Sequence, residues 1–210
     1  MEILLIRHAQ SKGNAKNTVQ GHLDEGLSDL GKEQAQKLSD CFNPGDLDAI
    51  YSSDLGRAVQ TAEPTAKKLK IQIQIDPDLR EADFGIWEGD TYNGVKEKYP
   101  SEYETWHKNY LDRPPWFESY DSHSLRIKSV IEKILLGQTK NDRVGVFTHG
   151  GSIKTQVGFF NKLTGEDLAK ISITNCSLTL LKFNPTLKYE EGNLIYYNKV
   201  AVGNKQQVSS

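Results

Sequence analysis

Two short apolar runs constrain this chain more than any other feature: Ile3-Leu4-Leu5-Ile6 and Val144-Gly145-Val146-Phe147. Neither alternates apolar with polar residues, so neither suits a strand with one wet face. Such runs fit strands buried on both sides, as in a sheet covered by helices. Helical covers are legible too. Leu27, Leu30, Leu38 and Phe42 fall near one helical face, with Ser28 as N-cap. Leu55, Ala58, Val59, Ala62, Ala66 and Leu69 form a stripe opened by Ser53 or Asp54 as cap, and Leu125, Val130, Ile131, Ile134 and Leu135 form a third. Leu178 and Leu180, then residues 194–197, read as a late pair of strands joined around Asn193. Strands alternating with helices predict an α/β fold. We expect a three-layer α/β/α sandwich whose central sheet is mostly parallel, with helices on both faces and the late strands antiparallel at an edge.

A length of 210 residues suits one domain over 1–210. Within it, residues 89–121 differ in character. They hold Trp106, Trp116, Phe117, Tyr92, Tyr99, Tyr103, Tyr110 and Tyr120, with Pro100, Pro114 and Pro115. This segment reads as a helical insertion over the active-site end of the sheet, its aromatics serving mainly as packing. The polar tail 203–210 reads as frayed. Lys and Arg total 26 against 28 Asp and Glu, a net charge of −2, which removes the electrostatic case for a general binder of nucleic acid or anionic membranes. No run approaches the ~20 apolar residues of a membrane span. The first apolar run is also too short for a signal-peptide core. Cys41 and Cys176 lack metal-type spacing and read as free thiols of a cytoplasmic protein.

The chemistry lies where the apolar runs stop. Arg7-His8-Ala9-Gln10-Ser11-Lys12-Gly13-Asn14 follows the first, and Thr148-His149-Gly150-Gly151 follows the second. Ligands of open α/β sheets bind outside the carboxyl ends of strands, so both histidines stand where a site belongs. Glycines after His149 permit close approach of backbone to ligand. Tyr51-Ser52-Ser53-Asp54-Leu55-Gly56-Arg57-Ala58 places Arg57 in the first turn of a helix, where a cation is unfavourable unless an anion sits in front of it. Two arginines, two histidines and helix N-termini match a phosphate dianion, since arginine offers paired N–H groups to its oxygens. A neutral imidazole can attack phosphorus while the other groups hold the equatorial oxygens.

These elements resemble the histidine phosphatase superfamily, the phosphoglycerate-mutase-like family. The resemblance rests on Arg7-His8 with Asn14; Gly21, Asp24, Leu27, Ser28, Gly31 and Gln34-Ala35; Ser53-Asp54-Leu55 with Arg57-Ala58 and Thr61-Ala62; Leu79-Arg80-Glu81 with Gly85 and Trp87-Glu88-Gly89; Thr148-His149-Gly150-Gly151; and Asn175-Cys176-Ser177. It spans residues 3 to about 183. It implies that His8 is the nucleophile that becomes phosphorylated, that Arg7, Arg57 and His149 surround the transferred phosphoryl group, and that Glu81 is the proton donor and later the base for water. Asn14, Gln20, Gly21 and Gly150 are implied as further phosphate contacts. No metal and no cofactor are implied. Ala9, Gln10 and Ser11 depart from the commonest family residues, and the usual Gly-Glu-Ser late in the insertion stands here as Phe117-Glu118-Ser119.

The resemblance thus implies a phosphomonoesterase for a small phosphorylated metabolite, working through phosphohistidine. Sugar phosphates, phosphoglycerates, an α-ribazole-type nucleotide and aryl phosphates are all open as substrates, and a homodimer is compatible with the reading. Two alternatives stand beside it. Mutases of the family carry Glu-Arg-His-Tyr at the acid position and an arginine-rich insertion. This chain has Glu81-Ala82-Asp83-Phe84, and only Arg113 before Arg126. A protein that binds a phosphorylated ligand without turnover is the other alternative, against which stands the intact set His8, Arg57, Glu81 and His149. His22 is a candidate substrate contact or an exposed loop residue. His107 and His123 are assigned to the surface, and Lys12 and Lys154 to solvent or phosphate steering.

Overall fold

Strand β1 (Glu2–Arg7) lies parallel to β4 (Arg143–Thr148), in register from Glu2 opposite Arg143 to Arg7 opposite Thr148, in the computed structural model of the chain. The structure describes residues 1–137, 139, 142–184 and 188–200. The expected tail at 203–210 lies outside the described residues. One sheet of six strands runs in the order β3-β2-β4-β1-β5-β6, where β2 is Ala49–Ser52, β3 is Ile73–Ile75, β5 is Ser177–Lys182 and β6 is Asn193–Val200. Four strands are parallel, and β5 and β6 close one edge antiparallel. The late pair was expected. Strands β2 and β3 carry no apolar run long enough to mark them, and β3 is a three-residue edge strand with Gln74 and Ile75 in solvent.

The uniform apolar runs face both ways. Ile3 and Leu5 enter one core with Ile127, Val130, Ile131 and Ile134 of α6 (Tyr120–Gly137) and Ile153 and Val157 of α7 (Gly150–Asn161). Leu4 and Ile6 enter the opposite core with Ala35 and Leu38 of α2 (Asp29–Asp40) and Ala62 and Ala66 of α3 (Gly56–Leu69). Each such large side chain contributes about 1.5–3 kcal/mol on burial, so a helix that left its face would cost the sheet several of these. The short α1 (Lys12–Ala15) follows β1, and α8 (Gly165–Lys170) follows α7.

Ser28 caps α2 as expected, its side chain accepting from the Gly31 N–H. Leu30 and Leu125, however, are 48% and 61% exposed rather than core. The buried row of α2 is Gly31, Gln34, Ala35 and Leu38, and that of α6 is His123, Ile127, Val130, Ile131 and Ile134. Both leucines project outside these 3.6-residue rows. Neither Ser53 nor Asp54 caps α3 by the usual side-chain bond; Asp54 is paired with Arg80 instead. The anion in front of α3 is Asp24, which accepts from the Gly56 and Arg57 N–H groups.

Residues 89–121 hold α4 (Tyr92–Lys98) and α5 (Pro100–Lys108) and close a separate apolar cluster together with Val19, Ala82, Phe84 and Trp87 from outside that span. Trp87, Phe84 and Phe117 are buried with Val19, Ala82 and Val95, and Tyr99, Tyr103, Trp106 and Trp116 pack around them. Loop 17–23 joins it to the sheet. The Tyr92 N–H donates to Asn17 O at 3.1 Å, and the Val19 and Gly89 N–H groups donate to Asp90 O and Val19 O, each at 2.9 Å. Among the described residues no helix is long and apolar enough to cross a membrane.

Candidate active site

His8 and His149 leave neighbouring parallel strands at the same edge, and their rings stand 5.2 Å apart between centroids. The His8 N–H donates to Thr148 O at 2.9 Å, which ties the two strand ends together. His8 Nδ1 lies 2.7 Å from the carbonyl oxygen of Ala9. A carbonyl only accepts, so Nδ1 carries the proton and Nε2 keeps its lone pair. Burial, then Arg57 and Arg7, hold His8 well below the ordinary histidine value of 6.5, so the ring stays neutral.

Arg57, almost wholly buried, is fixed on every side. It donates to Gly21 O at 2.6 Å, to Leu23 O at 2.7 Å and, through Nε, to His149 Nδ1 at 3.3 Å. Because an arginine can only donate, His149 must carry its proton on Nε2, which faces Ser53 Oγ at 2.9 Å. Burial and then Arg57 depress His149 as well. Gly21 has φ +50°, and a Cβ there would meet Glu88 Oε1 at 1.8 Å, so only glycine fits. Arg7 donates to Ile173 O, while its buried Nε has no partner and lies beside Gly150. An orphan guanidinium N–H of this kind is a donor awaiting an anion. Asn14 Oδ1 accepts from Ser11 N and Asn175 Nδ2 at 3.1 and 3.2 Å, which leaves the amide NH2 for a ligand. Gln20 sits beside them, its Oε1 accepting from Ser11 Oγ at 2.6 Å.

Glu81 stands across from these groups at the N-terminus of α7, accepting from the Gly151 N–H at 2.8 Å and from the Ala82 N–H at 2.9 Å. Its loop is braced from α6. Arg126 donates to the carbonyls of Asp78, Arg80 and Glu81 at 2.8, 2.7 and 2.7 Å, and Glu118 grips it at 2.7 and 2.8 Å. The departure Phe117-Glu118-Ser119 therefore still supplies a carboxylate that holds the Glu81 loop. His123 is not at the surface but fully buried, because it heads the inward row of α6. Its Nε2 lies 3.0 Å from Ser152 Oγ and 3.9 Å from Glu81 Oε1. His22 is half-buried with Nε2 3.1 Å from Glu81 O, whereas His107 and Lys12 are exposed. Glu88 accepts from the N–H groups of His22, Leu23 and Phe84, which marks it as a loop tie.

A cavity of about 240 Å³ opens between the two sides. Arg7, Glu81, Gly150 and Gly151 line it from the sheet, Phe84, Tyr92, Trp106 and Tyr110 from the insertion, with Lys154 and residues 171–173 completing the wall. His8, only 3% exposed, is not among the lining residues. Two functional-looking roles escape sequence reasoning, Arg126 as a brace and Asp24 as cap, and Lys154, read from sequence as solvated or phosphate-steering, stands in the cavity wall. Only Lys154 has a local signal, since it follows Gly150 by four residues and so shares its helix face. Among the described residues no group of three or more His, Cys, Asp or Glu is placed to hold a metal ion.

A family model described as histidine phosphatase superfamily (branch 1) matches residues 3–190. Phosphoserine phosphatase 1 of Hydrogenobacter thermophilus is 31% identical over 181 residues, covering 84% of this chain and 82% of its own. A 2,3-bisphosphoglycerate-dependent phosphoglycerate mutase of Parvibaculum lavamentivorans is 31% identical over 178 residues, covering 81% of this chain and 85% of its own. The solved structure of a mycobacterial glucosyl-3-phosphoglycerate phosphatase shares the fold, with a TM-score of 0.85 over 94% of this chain and 99% of its own at 24% identity.

Proposed function

The chain belongs to the histidine phosphatase superfamily, and on that premise we propose that it is a phosphomonoesterase that hydrolyses a small phosphorylated metabolite through a phosphohistidine. The observation that carries this reading is the locked tautomer of His8. With Nδ1–H bound to Ala9 O, the Nε2 lone pair is available beside two guanidinium groups and a second neutral imidazole. In the first step Nε2 bonds to phosphorus and the ester P–O bond breaks. The departing oxygen takes the proton of Glu81. Arg7, Arg57 and the Asn14 amide oppose charge on the equatorial oxygens, and His149, whose Nδ1 accepts from Arg57 Nε, holds that guanidinium beside them. In the second step Glu81 takes a proton from water, the oxygen attacks phosphorus, and the P–N bond breaks to restore His8 and release phosphate. None of these roles needs a metal, so turnover is expected to survive a chelator.

A relative bears the name of a mutase, which gives the alternative its weight. Against it, Ala82 and Phe84 are buried in the aromatic cluster where mutases carry further polar groups. Incubation with 3-phosphoglycerate and catalytic 2,3-bisphosphoglycerate is expected to release phosphate faster than it forms 2-phosphoglycerate. The decisive experiment is an acid- and alkali-split quench during turnover. An alkali-stable, acid-labile phosphoryl label is expected on the wild type and not on His8→Ala. The same label on His8→Ala overturns the reading.

A further inference from the structure

We infer that Lys154 recognises a carboxylate on the leaving-group part of the substrate, so that the ester hydrolysed carries a monoanion a few bonds from its phosphate. This rests on the phosphatase reading above and names its substrate class. Helix α7 presents Gly150 and Gly151 against Arg7 and Glu81, and Lys154 rises one turn further along the same face. The cavity is therefore lined by two cations, Arg7 and Lys154. Arg7, with its unpartnered Nε–H, belongs to the phosphoryl end. Lys154 is left to meet the rest of the molecule.

Its surroundings are unusual for a lysine. Lys16, Lys98 and Lys128 are paired with carboxylates at the surface. Lys154 is half-buried and, among the described residues, forms no ion pair and no hydrogen bond; its ammonium rests 4.7 Å from the centre of the Tyr110 ring. Burial brings it down to about 8, Arg7 acts in the same direction, and Glu81 opposes both. A cation kept partly out of water without an anion is costly unless a ligand supplies one. A single ammonium matches one carboxylate. A second phosphate dianion asks for the paired donors that arginine provides; Arg113 stacks on the same Tyr110 ring at 5.1 Å but is not among the residues that line the cavity. Trp106, on the cavity wall with Phe84 and Tyr92, can cover the short carbon chain between the two anions.

The test compares kcat/KM for 3-phosphoglycerate and glycerol 3-phosphate, which differ only in a carboxylate against a hydroxymethyl group. The wild type is expected to prefer the carboxylate. Lys154→Met is expected to lower the ratio of the two by about tenfold or more, the range of a charge-assisted hydrogen bond, while Lys154→Arg retains it. The groups facing Lys154 are Arg7, Glu81, Tyr92, Tyr103, His107 and Tyr110. Their titration acts on both esters, so the ratio isolates the lysine. The ammonium is charged below about 8 and the substrate carboxylate throughout, so the wild-type ratio should fall as pH rises through 8. It should be flat in Lys154→Met. A wild type without preference, or a variant that loses both esters in proportion, overturns the inference. Calorimetry of both esters on His8→Ala reads the same ratio without turnover. Loss of hydrolysis with the ratio intact therefore counts against the phosphatase reading alone.

Discussion

Around the histidine pair, on the phosphoryl side of the proposed site, main chain does the holding: Arg57 is anchored on the Gly21 and Leu23 carbonyls, and His8 on Ala9 O and Thr148 O. On the leaving-group side, the holding falls largely to side chains. Glu81 depends on a loop gripped by Arg126, which is itself gripped by Glu118, and the opposite wall is an aromatic cluster. The difference is instructive. Backbone acceptors are present whatever the residue, so the first arrangement depends mainly on the functional side chains themselves, Gly21 excepted because only glycine fits its turn. The second is set by neighbours and can be retuned through them.

The sharpest way to separate the two sides is Glu81→Gln, which keeps the shape but removes the transferable proton. Single-turnover phosphorylation by an alkyl phosphate is expected to fall 10²–10⁴-fold, about the value of a general acid. That by p-nitrophenyl phosphate, whose leaving group needs no proton, should be largely spared. Equal losses would make Glu81 a positioning group and erase the distinction. Arg57→Ala should behave in the opposite sense. A loss of about 10²–10³-fold in kcat/KM, some 3–4 kcal/mol, is expected for both esters alike. Arg57→Lys should recover little because the paired donors are gone; a lysine variant near wild-type turnover would contradict the assignment.

Glu118→Gln tests the brace. It leaves Arg126 without its counter-charge, and the alkyl ester is expected to lose about tenfold while the p-nitrophenyl ester loses less. A loss confined to stability, with the ratio of esters unchanged, would reduce the brace to packing. The smallest effect concerns pH. Burial holds His8, His149 and His123 all well below 6.5, two of them on the phosphoryl side and one behind Glu81. Each binds its proton more readily when unfolded, so its contribution is intact above 6.5 and is lost as pH falls below that value. The slope is at most about 1.4 kcal/mol per pH unit for each histidine. Urea unfolding of His123→Gln between pH 6.5 and 5 should show a slope shallower by one histidine's share. An unchanged slope would mean that His123 is not held neutral.

What could be read from residues alone follows the same divide. The strand ends were legible because Ile3-Leu4-Leu5-Ile6 and Val144-Gly145-Val146-Phe147 are uniform and end in histidine. With them came the edge at which His8, Arg7 and His149 gather. Arg57 was legible as an uncompensated cation at a helix start, but its compensating anion was not, since Asp24 arrives from 33 residues upstream. His123 was misread because a polar residue counts against an inward face in any periodicity argument, yet its ring has partners in Ser152 and Arg113. Arg126 and Lys154 belong to helices whose apolar rows say nothing of what their other faces touch. Contacts made across the fold by long polar side chains leave no local period.

The seam between loop 17–23 and residues 88–92 bears on how such a protein changes over generations. Its rungs from Asn17 and Val19 to Gly89, Asp90 and Tyr92 are peptide groups, with Glu88 as a single side-chain tie. A seam of that kind is indifferent to what the grafted segment contains, as long as its ends keep their spacing. The aromatic segment can therefore diverge while the groups beneath it stay in place, provided that Glu118, which braces the Glu81 loop through Arg126, is kept.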